Sequence, residues 1–594
     1  MAKGVGELGD FTAVEQALSG RTDLDQYGDN KRLLFALQLK FGIEDIHAVA
    51  AAALTDGSAD KSCDLLYVDR EAEEIVLAQA YEAGNPNKAS AKESKAADLH
   101  QAASWVFGAP ISEVPERLQS AVREARAALE DRQIRQVSVW FVHNLPESET
   151  VQKELDQIRH SVDVWLKDRY SDSSVDTINA VEIGRNRLAD WYHGSQSPII
   201  IDDVISVPVD GYFRETHGRW EAYCTSIDVR WLKNMFWQYR DRLFSANVRN
   251  YLGIAWRRGN INSGIRKTVE EEPENFWVYN NGITALVHRV EPGPDNSSLV
   301  ITGLSIVNGA QTTGVIGNSS AINPSRSPKV LARFIVCRDP EIVRCIIRYN
   351  NRQNAIVASD FRSNDRVQKR LVREFQELGV VGYNGGRRGG IEDVIRRPAD
   401  NAVPATSAAQ ALAAFHGEPG TAYHEKSEIW ESDKLYHRFF SDRTTARHVF
   451  FCFSLQRAVE ETKKRLRTKL NEGLRKDEKQ AVEFFERRGS VLLLVAAIGT
   501  CMEIYLDRSI PNPFELGFAD KPTLPEAIDR WNPLVESALP WAVYHLDPVL
   551  KGESLRRHDE VRDALEKFQA SIGSVANVNK EIFQAFAAHV RCGK

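Results

Sequence analysis

Two apolar runs that each stop at carboxamides and a glycine constrain this chain more than any other feature. The first reads FWVYNNGITALVHRV from Phe276, and the second reads LVITGLSIVNGAQTT up to Thr313, with a Gly/Pro/Asp/Asn/Ser turn segment between them. β-Branched and aromatic residues favour strands, and Asn and Gly punctuate them. The runs therefore predict strands interrupted by two polar constellations, Asn280-Asn281-Gly282 and Asn308-Gly309-Ala310-Gln311-Thr312-Thr313. A β-rich core has little use for such groups unless they hold backbone or a ligand. Both uses stay open: mutual hydrogen bonds that pin two strands and a turn, or a ligand-reading site.

A chain of 594 residues is too long for one core, so several domains are expected. Residues 1–55 read as helical, with helical apolar spacing from Asn30 ending at Gly42. Two antiparallel strands follow at 65–68 and 75–81, joined by the charged turn 69–74, with Asp64 at the start of the first and Gln79 near the end of the second. Residues 93–130 read as two helices broken at Pro110 and Pro115, and 137–142 as a strand. A helix at 147–168 and a short strand at 180–183 close an α/β domain over 1–195.

Residues 196–400 read as an α+β core, with strands at 199–207 and 330–336. Asp339-Pro340-Glu341 has the residue order of a helix start, and Ser363 and Asn364 are candidate caps for a helix over 366–378. Residues 383–390 form a Gly/Arg loop, either an anion cradle or a plain turn. Residues 401–594 read as a mainly helical domain, with helices over 405–415, 447–472, 476–505, 525–538 and 554–572. Trp430, Tyr436, Phe439, Phe440, Phe450, Phe451 and Phe453 are expected in its core.

Composition narrows the function classes. A hydrophobic share of 43% and a charged share of 27% fit an ordinary globular protein. The net charge of -6 argues against a globally basic nucleic-acid coat, although 76 Lys and Arg leave room for a local basic groove. Seven cysteines without a C-x-x-C pair point to free thiols in a reducing cytoplasm. The N-terminus has no apolar signal region, and the apolar run 490–504 is short for a span, so a buried helix and no membrane association are expected.

The hairpin around Asp64 resembles the PD-(D/E)xK nucleases. That resemblance implies that Asp64 and Gln79 hold a divalent cation, Mg²⁺ or Mn²⁺, with Asp60 or Glu44 as a third oxygen. The family's lysine, two residues beyond the second ligand, is replaced by Tyr81, so Lys88, Lys92 or Lys95 would have to reach in, with Lys88 the catalytic candidate. An active nuclease, an inactive nuclease-like domain and an unrelated hairpin all remain readings of this segment.

LFSANVRNYLG from Leu243, NFWVYNNGIT from Asn275, IVNGAQTT from Ile306 and NNRQNAIVASDFRSND from Asn350 resemble the AIPR family, the abortive-infection phage-resistance proteins of bacteria. They stand in the family's order and at its spacing. The resemblance implies defence against phage. IVNGAQTT is also similar to the strand–turn–helix signature of ParB-like nucleotide-binding domains, with Asn308 where that signature has Asp and Thr312 near its Arg. Two functions follow as expectations. One is a metal-dependent nuclease-like effector acting on DNA or RNA. The other is a non-catalytic sensor that binds a nucleotide, nucleic acid or phage protein through Asn280, Asn281, Asn308, Gln311, Thr312, Asn351, Arg352 and Gln353. An operon-encoded protein partner and a homo-oligomer are further candidates.

Overall fold

The computed structural model describes residues 7–55, 63–196, 199–247, 256–257, 260–293, 297–319, 327–350, 362, 365–379, 383, 402–469, 474–551 and 555–593. It is a mixed α/β protein with several small sheets and a helical C-terminal region.

The N-terminal part begins with α1 (Glu7–Gly20), α2 (Lys31–Phe41) and α3 (Ile46–Ala53). Gly42 ends α2 in the left-handed region at φ 58, as its position in the sequence suggested. Strands β1 (Leu65–Asp69) and β2 (Glu74–Tyr81) pair antiparallel, with Leu65 opposite Ala78. Then come α4 (Glu93–Ala103), α5 (Glu116–Glu130), β3 (Gln136–His143), α6 (Glu149–Arg169), β4 (Thr177–Ile183) and α7 (Arg185–Gln196). β3 lies parallel to β2 and β4 parallel to β3.

Strand alternation divides this sheet cleanly. Leu66, Ile75, Leu77, Val139 and Phe141 pack with α4, α5 and α6 on one face. Leu65, Val76, Ala78, Trp140 and Val142 pack with α2 and α3 on the other. The sheet does not end with the segment that builds most of it. β5 (Val204–Pro208), β6 (Tyr212–His217), β7 (Trp220–Asp228) and α8 (Val229–Tyr239) intervene, and β8 (Trp256–Arg257) then returns to pair antiparallel with β4.

The central part continues with α9 (Asn260–Glu271), α10 (Phe276–Tyr279), β9 (Ile283–Val287), β10 (Arg289–Pro292), β11 (Ser298–Thr302), β12 (Ser305–Asn308), α11 (Ala310–Asn318), β13 (Lys329–Cys337) and α12 (Pro340–Asn350). Its larger sheet has the order β12-β9-β13-β7-β6, and β13 sits parallel to β9 and antiparallel to β7. The first apolar run departs from expectation at its start. Phe276–Tyr279 is one helical turn, and the strand begins only at Ile283. The Asn280 side chain accepts from the Gly282 amide at 2.9 Å, a local turn that ends the helix before the strand can form. Trp277, Val278 and Tyr279 are left exposed. Asp339 caps α12 as expected, accepting from Glu341 N at 2.9 Å.

α13 (Arg366–Glu377) is capped by Asp365, whose carboxylate accepts from Val367 N at 2.7 Å. The candidate caps Ser363 and Asn364 lie outside the described residues, as do 384–390 of the Gly/Arg loop. Leu371 and Phe375 of α13 pack into the helical C-terminal core. That core is built from α14 (Ala405–Phe415), α15 (Ala446–Thr468), α16 (Lys476–Glu486), α17 (Ser490–Thr500), α18 (Leu524–His545) and α19 (His558–Ser574). The span 476–505, expected as one helix, is broken at Gly489, which adopts φ +80 and whose added Cβ would meet Leu555 at 2.6 Å. Every aromatic residue named above for this core is buried. Among the described residues, no helix is long and apolar enough to cross a membrane.

Candidate functional site

The N-terminal candidate site sits at the open end of the β1–β2 hairpin. The register that sets Leu65 opposite Ala78 brings Asp64 opposite Gln79, and alternation puts both on the face shared with Leu66 and Leu77. Directly opposed residues have Cβ atoms about 5 Å apart. One Asp64 oxygen accepts from the Ala80 amide at 2.7 Å, so the carboxylate also finishes the strand. Gln79 is 8% exposed, and its side-chain oxygen has no hydrogen-bond partner among the described residues. A buried carbonyl oxygen without a donor costs about 1–3 kcal/mol, so such a group calls for an explanation.

A carboxylate and a neutral amide oxygen are hard donors suited to Mg²⁺ or Mn²⁺, which keep several waters. The donor set is thin. No cluster of three or more His, Cys, Asp or Glu residues with metal-binding geometry occurs among the described residues. Asp60 lies outside them, and Glu44 sits between α2 and α3, close enough to Tyr383 to act on its hydroxyl. Tyr81, at the position of the nuclease lysine, stacks on Phe141 with ring centroids 6.4 Å apart and packs against the core. Lys88 and Lys92 are exposed, and exposed Lys95 lies 3.7 Å from Asp98.

The same face carries a pair that the sequence reading passed over. Parallel register sets His143 beside Tyr81 and Glu182 beside Phe141. His143 Nε2 and Glu182 Oε1 are 2.9 Å apart, both residues being fully buried. Leu145 N donates to His143 Nδ1 at 3.1 Å, which fixes the tautomer that donates from Nε2. The other Glu182 oxygen accepts from Ser148 N at 2.9 Å. The pair thus ties the turn between β3 and α6 to β4. Its signal in the sequence was a histidine continuing the alternation of β3 by one residue.

In the central part the two constellations meet. Asn280 Nδ2 donates to Thr312 Oγ1 at 3.2 Å, joining the first turn to the start of α11. Asn308 Nδ2 donates to the Asn350 carbonyl at 2.6 Å, and Thr313 Oγ1 to the Gly309 carbonyl at 2.9 Å. The backbones come very close: a Cβ on Gly282 would lie 2.4 Å from the Leu331 carbonyl oxygen, and one on Gly309 would lie 2.8 Å from that of Gly282. β12, Gly309 at φ 89 and α11 form the strand–turn–helix unit that the motif implies.

Arg333 also belongs to this cluster, donating to Thr284 Oγ1 at 3.1 Å and to Asn350 Oδ1 at 2.8 Å. Its Nε is buried without a partner among the described residues. Asn281 is exposed, Gln311 half-buried and Thr312 buried, while Asn351, Arg352 and Gln353 lie outside the described residues.

The AIPR protein family model matches residues 244–510. Those residues belong to the AIPR family. The AIPR match reaches from the strands of the central part through α17 of the helical part, well past the four sequence pieces that carry the resemblance. It supports a role in bacterial abortive infection against phage. No curated protein and no solved structure matches the chain.

Proposed function

We propose that the chain is an effector of abortive infection whose N-terminal domain acts on nucleic acid, DNA or RNA, through a divalent cation held by Asp64 and Gln79. The observation that carries this reading is the buried Gln79 oxygen, without a partner among the described residues, beside the Asp64 carboxylate at the end of the hairpin. A bound Mg²⁺ or Mn²⁺ supplies Lewis-acid polarisation of a phosphodiester and a more acidic water. Asp64 contributes the negative charge, its backbone-tied oxygen fixing the direction of the other. Gln79 contributes a neutral donor whose burial keeps its orientation. Tyr81 provides no cation, so cleavage through these residues is expected to be slow.

The test is cleavage of plasmid DNA and of RNA with Mg²⁺ by the wild type and by Asp64→Ala. Loss of Mg²⁺-dependent cleavage in the variant supports the reading, and equal cleavage by both removes Asp64 from it.

The stacking of Tyr81 on Phe141 favours a second reading, in which the domain binds without cutting and the central cluster reads the ligand. Arg333 Nε, buried without a partner among the described residues and next to Asn350, which Asn308 also holds, supports a nucleotide, an oligonucleotide or a phage protein being met there. Under this reading, nucleotides or oligonucleotides raise the melting temperature of wild type and Asp64→Ala alike and fail to do so in Gln311→Ala. Binding untouched by either substitution defeats both site assignments.

A further inference from the structure

The sequence of α13 divides it into two unlike faces. Gln368, Leu371 and Phe375 are buried, and the Gln368 side chain is held at both atoms: Nε2 donates to Tyr436 Oη at 3.2 Å, and Oε1 accepts from Tyr383 Oη at 2.8 Å. With Asp365 capping the first turn, these contacts fix the rotation of the helix about its own axis. At about 3.6 residues per turn, Arg366, Lys369 and Arg373 fall within about 60° of one another, on the side away from the buried residues. All three are exposed. No ion pair or side-chain hydrogen bond of the three occurs among the described residues.

Exposed helices elsewhere match such cations with acids one turn away: Lys167 with Asp163 in α6, and Arg562 with Asp559 and Lys567 with Asp563 in α19. α13 does the same on its flank. There Arg370 lies 3.3 Å from Glu374 and also donates to the Ser441, Asp442 and Thr444 carbonyls. Like charges a turn apart weaken a helix, so the unmatched stripe carries a cost that a merely solvated face does not require. Nor does the stripe follow from overall charge, which is -6. Its surroundings do not cancel it. Glu377 follows one turn beyond Arg373, but Lys521 Nζ donates to the Glu377 carbonyl at 2.6 Å and adds a further cation. In the adjoining turn, exposed Arg443 and Asp442 offset each other.

We infer that the exposed face of α13 lies along the phosphate backbone of a nucleic acid. The stripe runs about 10 Å along the helix axis, and one strand of a duplex presents a phosphate about every 3.4 Å of its axis, so three cations meet about three phosphates. Such contacts read no base edge, so they hold any sequence equally. The choice of occupant rests on the proposed reading of the chain as one that acts on nucleic acid. The stripe itself uses none of the residues of the metal site or of the central cluster.

Fluorescence anisotropy of the full-length protein tests this, with a short labelled DNA duplex and its single strand in EDTA, so that binding is read without cleavage. Wild type should bind saturably and more weakly as salt rises. Arg366→Gln, Lys369→Gln and Arg373→Gln together should make the slope of log affinity against log salt shallower by about 2.7 on the duplex or about 2.1 on the single strand, and each alone by about a third of that. The form bound more tightly identifies the source of the phosphates. Glutamine is a good helix former, so α13 should persist in these variants. Arg366→Lys, Lys369→Arg and Arg373→Lys together keep the charges and should keep the wild-type slope. Lys567→Gln, which removes an exposed but paired cation, should leave affinity and slope unchanged.

The inference is overturned if wild type binds neither form, or if the triple glutamine variant, folded as wild type by circular dichroism, keeps the wild-type slope; the second result would leave the stripe to a protein partner. Asp64→Ala should bind as wild type does in EDTA. Cleavage that survives Asp64→Ala removes the metal reading and leaves this one standing, whereas an unchanged slope in the triple variant removes this one and leaves the metal reading.

Discussion

The hairpin site and the central cluster are built from similar polar residues and treat most of them differently. Around Gly282 and Gly309, Asn280 and Asn308 are spent on the protein itself, Asn280 holding both Gly282 and Thr312 and Asn308 the Asn350 carbonyl, while the Nε of neighbouring Arg333 is left without a partner among the described residues. At the hairpin, Gln79 presents a buried oxygen that nothing described satisfies. Polar groups that pair internally specify a fold, whereas those left unsatisfied at a cost mark where another molecule belongs. The contrast teaches that the most recognisable motif in the chain need not be its most reactive place.

The contrast can be broken most forcefully at the glycines. Gly282→Ala forces a side chain into φ +79 and against the Leu331 carbonyl oxygen, so a loss of about 3 kcal/mol or more in denaturant unfolding is expected. A stable variant would show that the close backbone approach is dispensable.

The helical core offers a second internally satisfied pair, and acid should reveal it. His416 and His448 face each other at 2.9 Å, and His448 Nδ1 donates to the Leu516 carbonyl at 3.0 Å. Burial depresses His416 to about 3, with His448 adding to the fall, and burial depresses His448 to about 4. The unfolded imidazoles therefore take up protons first as pH falls. Stability contributed by the neutral pair is complete above about pH 6.5 and is lost steadily toward pH 4, by about 2 kcal/mol per histidine between pH 6.5 and 5. Urea titrations of wild type and His416→Gln at the two pH values should differ by that slope.

Asn280→Ala removes two hydrogen bonds from a half-buried turn and should cost about 1–2 kcal/mol. Gln79→Leu tests the other side of the comparison. It deletes an oxygen with no described partner, so stability should hold or rise, by up to about 1–3 kcal/mol, while any rise in melting temperature produced by Mg²⁺ or Mn²⁺ should vanish. A large destabilisation by Gln79→Leu would make that residue structural, like Asn280.

Local pattern made much of the fold readable. The hairpin, the strand at 137–142, the Asp339 cap and the Gly42 stop all depend on residues within a few positions of one another, and each forms as the sequence suggests. The errors have equally local causes. Phe276–Tyr279 has strand-like composition, yet an Asn-centred turn closes it as helix. A single left-handed glycine splits the helical period at 489.

What the sequence could not show is what distance along the chain hides. β8 joins β4 across some 75 intervening residues, Glu182 meets His143 across a helix, and Lys463 faces Thr55 from the far end of the protein. No periodicity records such meetings. Asp64 and Gln79 were legible because a hairpin register follows from its own two strands.

The reach of Arg488 into the N-terminal part has a consequence for how the protein is made. Glu124 is buried and, although burial alone would raise its pKa, Arg488 and Arg70 hold it lower; Tyr423 donates to it at 2.7 Å. Asp45, which caps α3, is likewise held by Ser407 and Arg457. On the ribosome the first two hundred residues emerge long before these partners do. The hairpin that carries Asp64 therefore reaches its final electrostatic setting only after Arg488 has been made, so a product that stops before it would carry the motif without the surroundings that finish it.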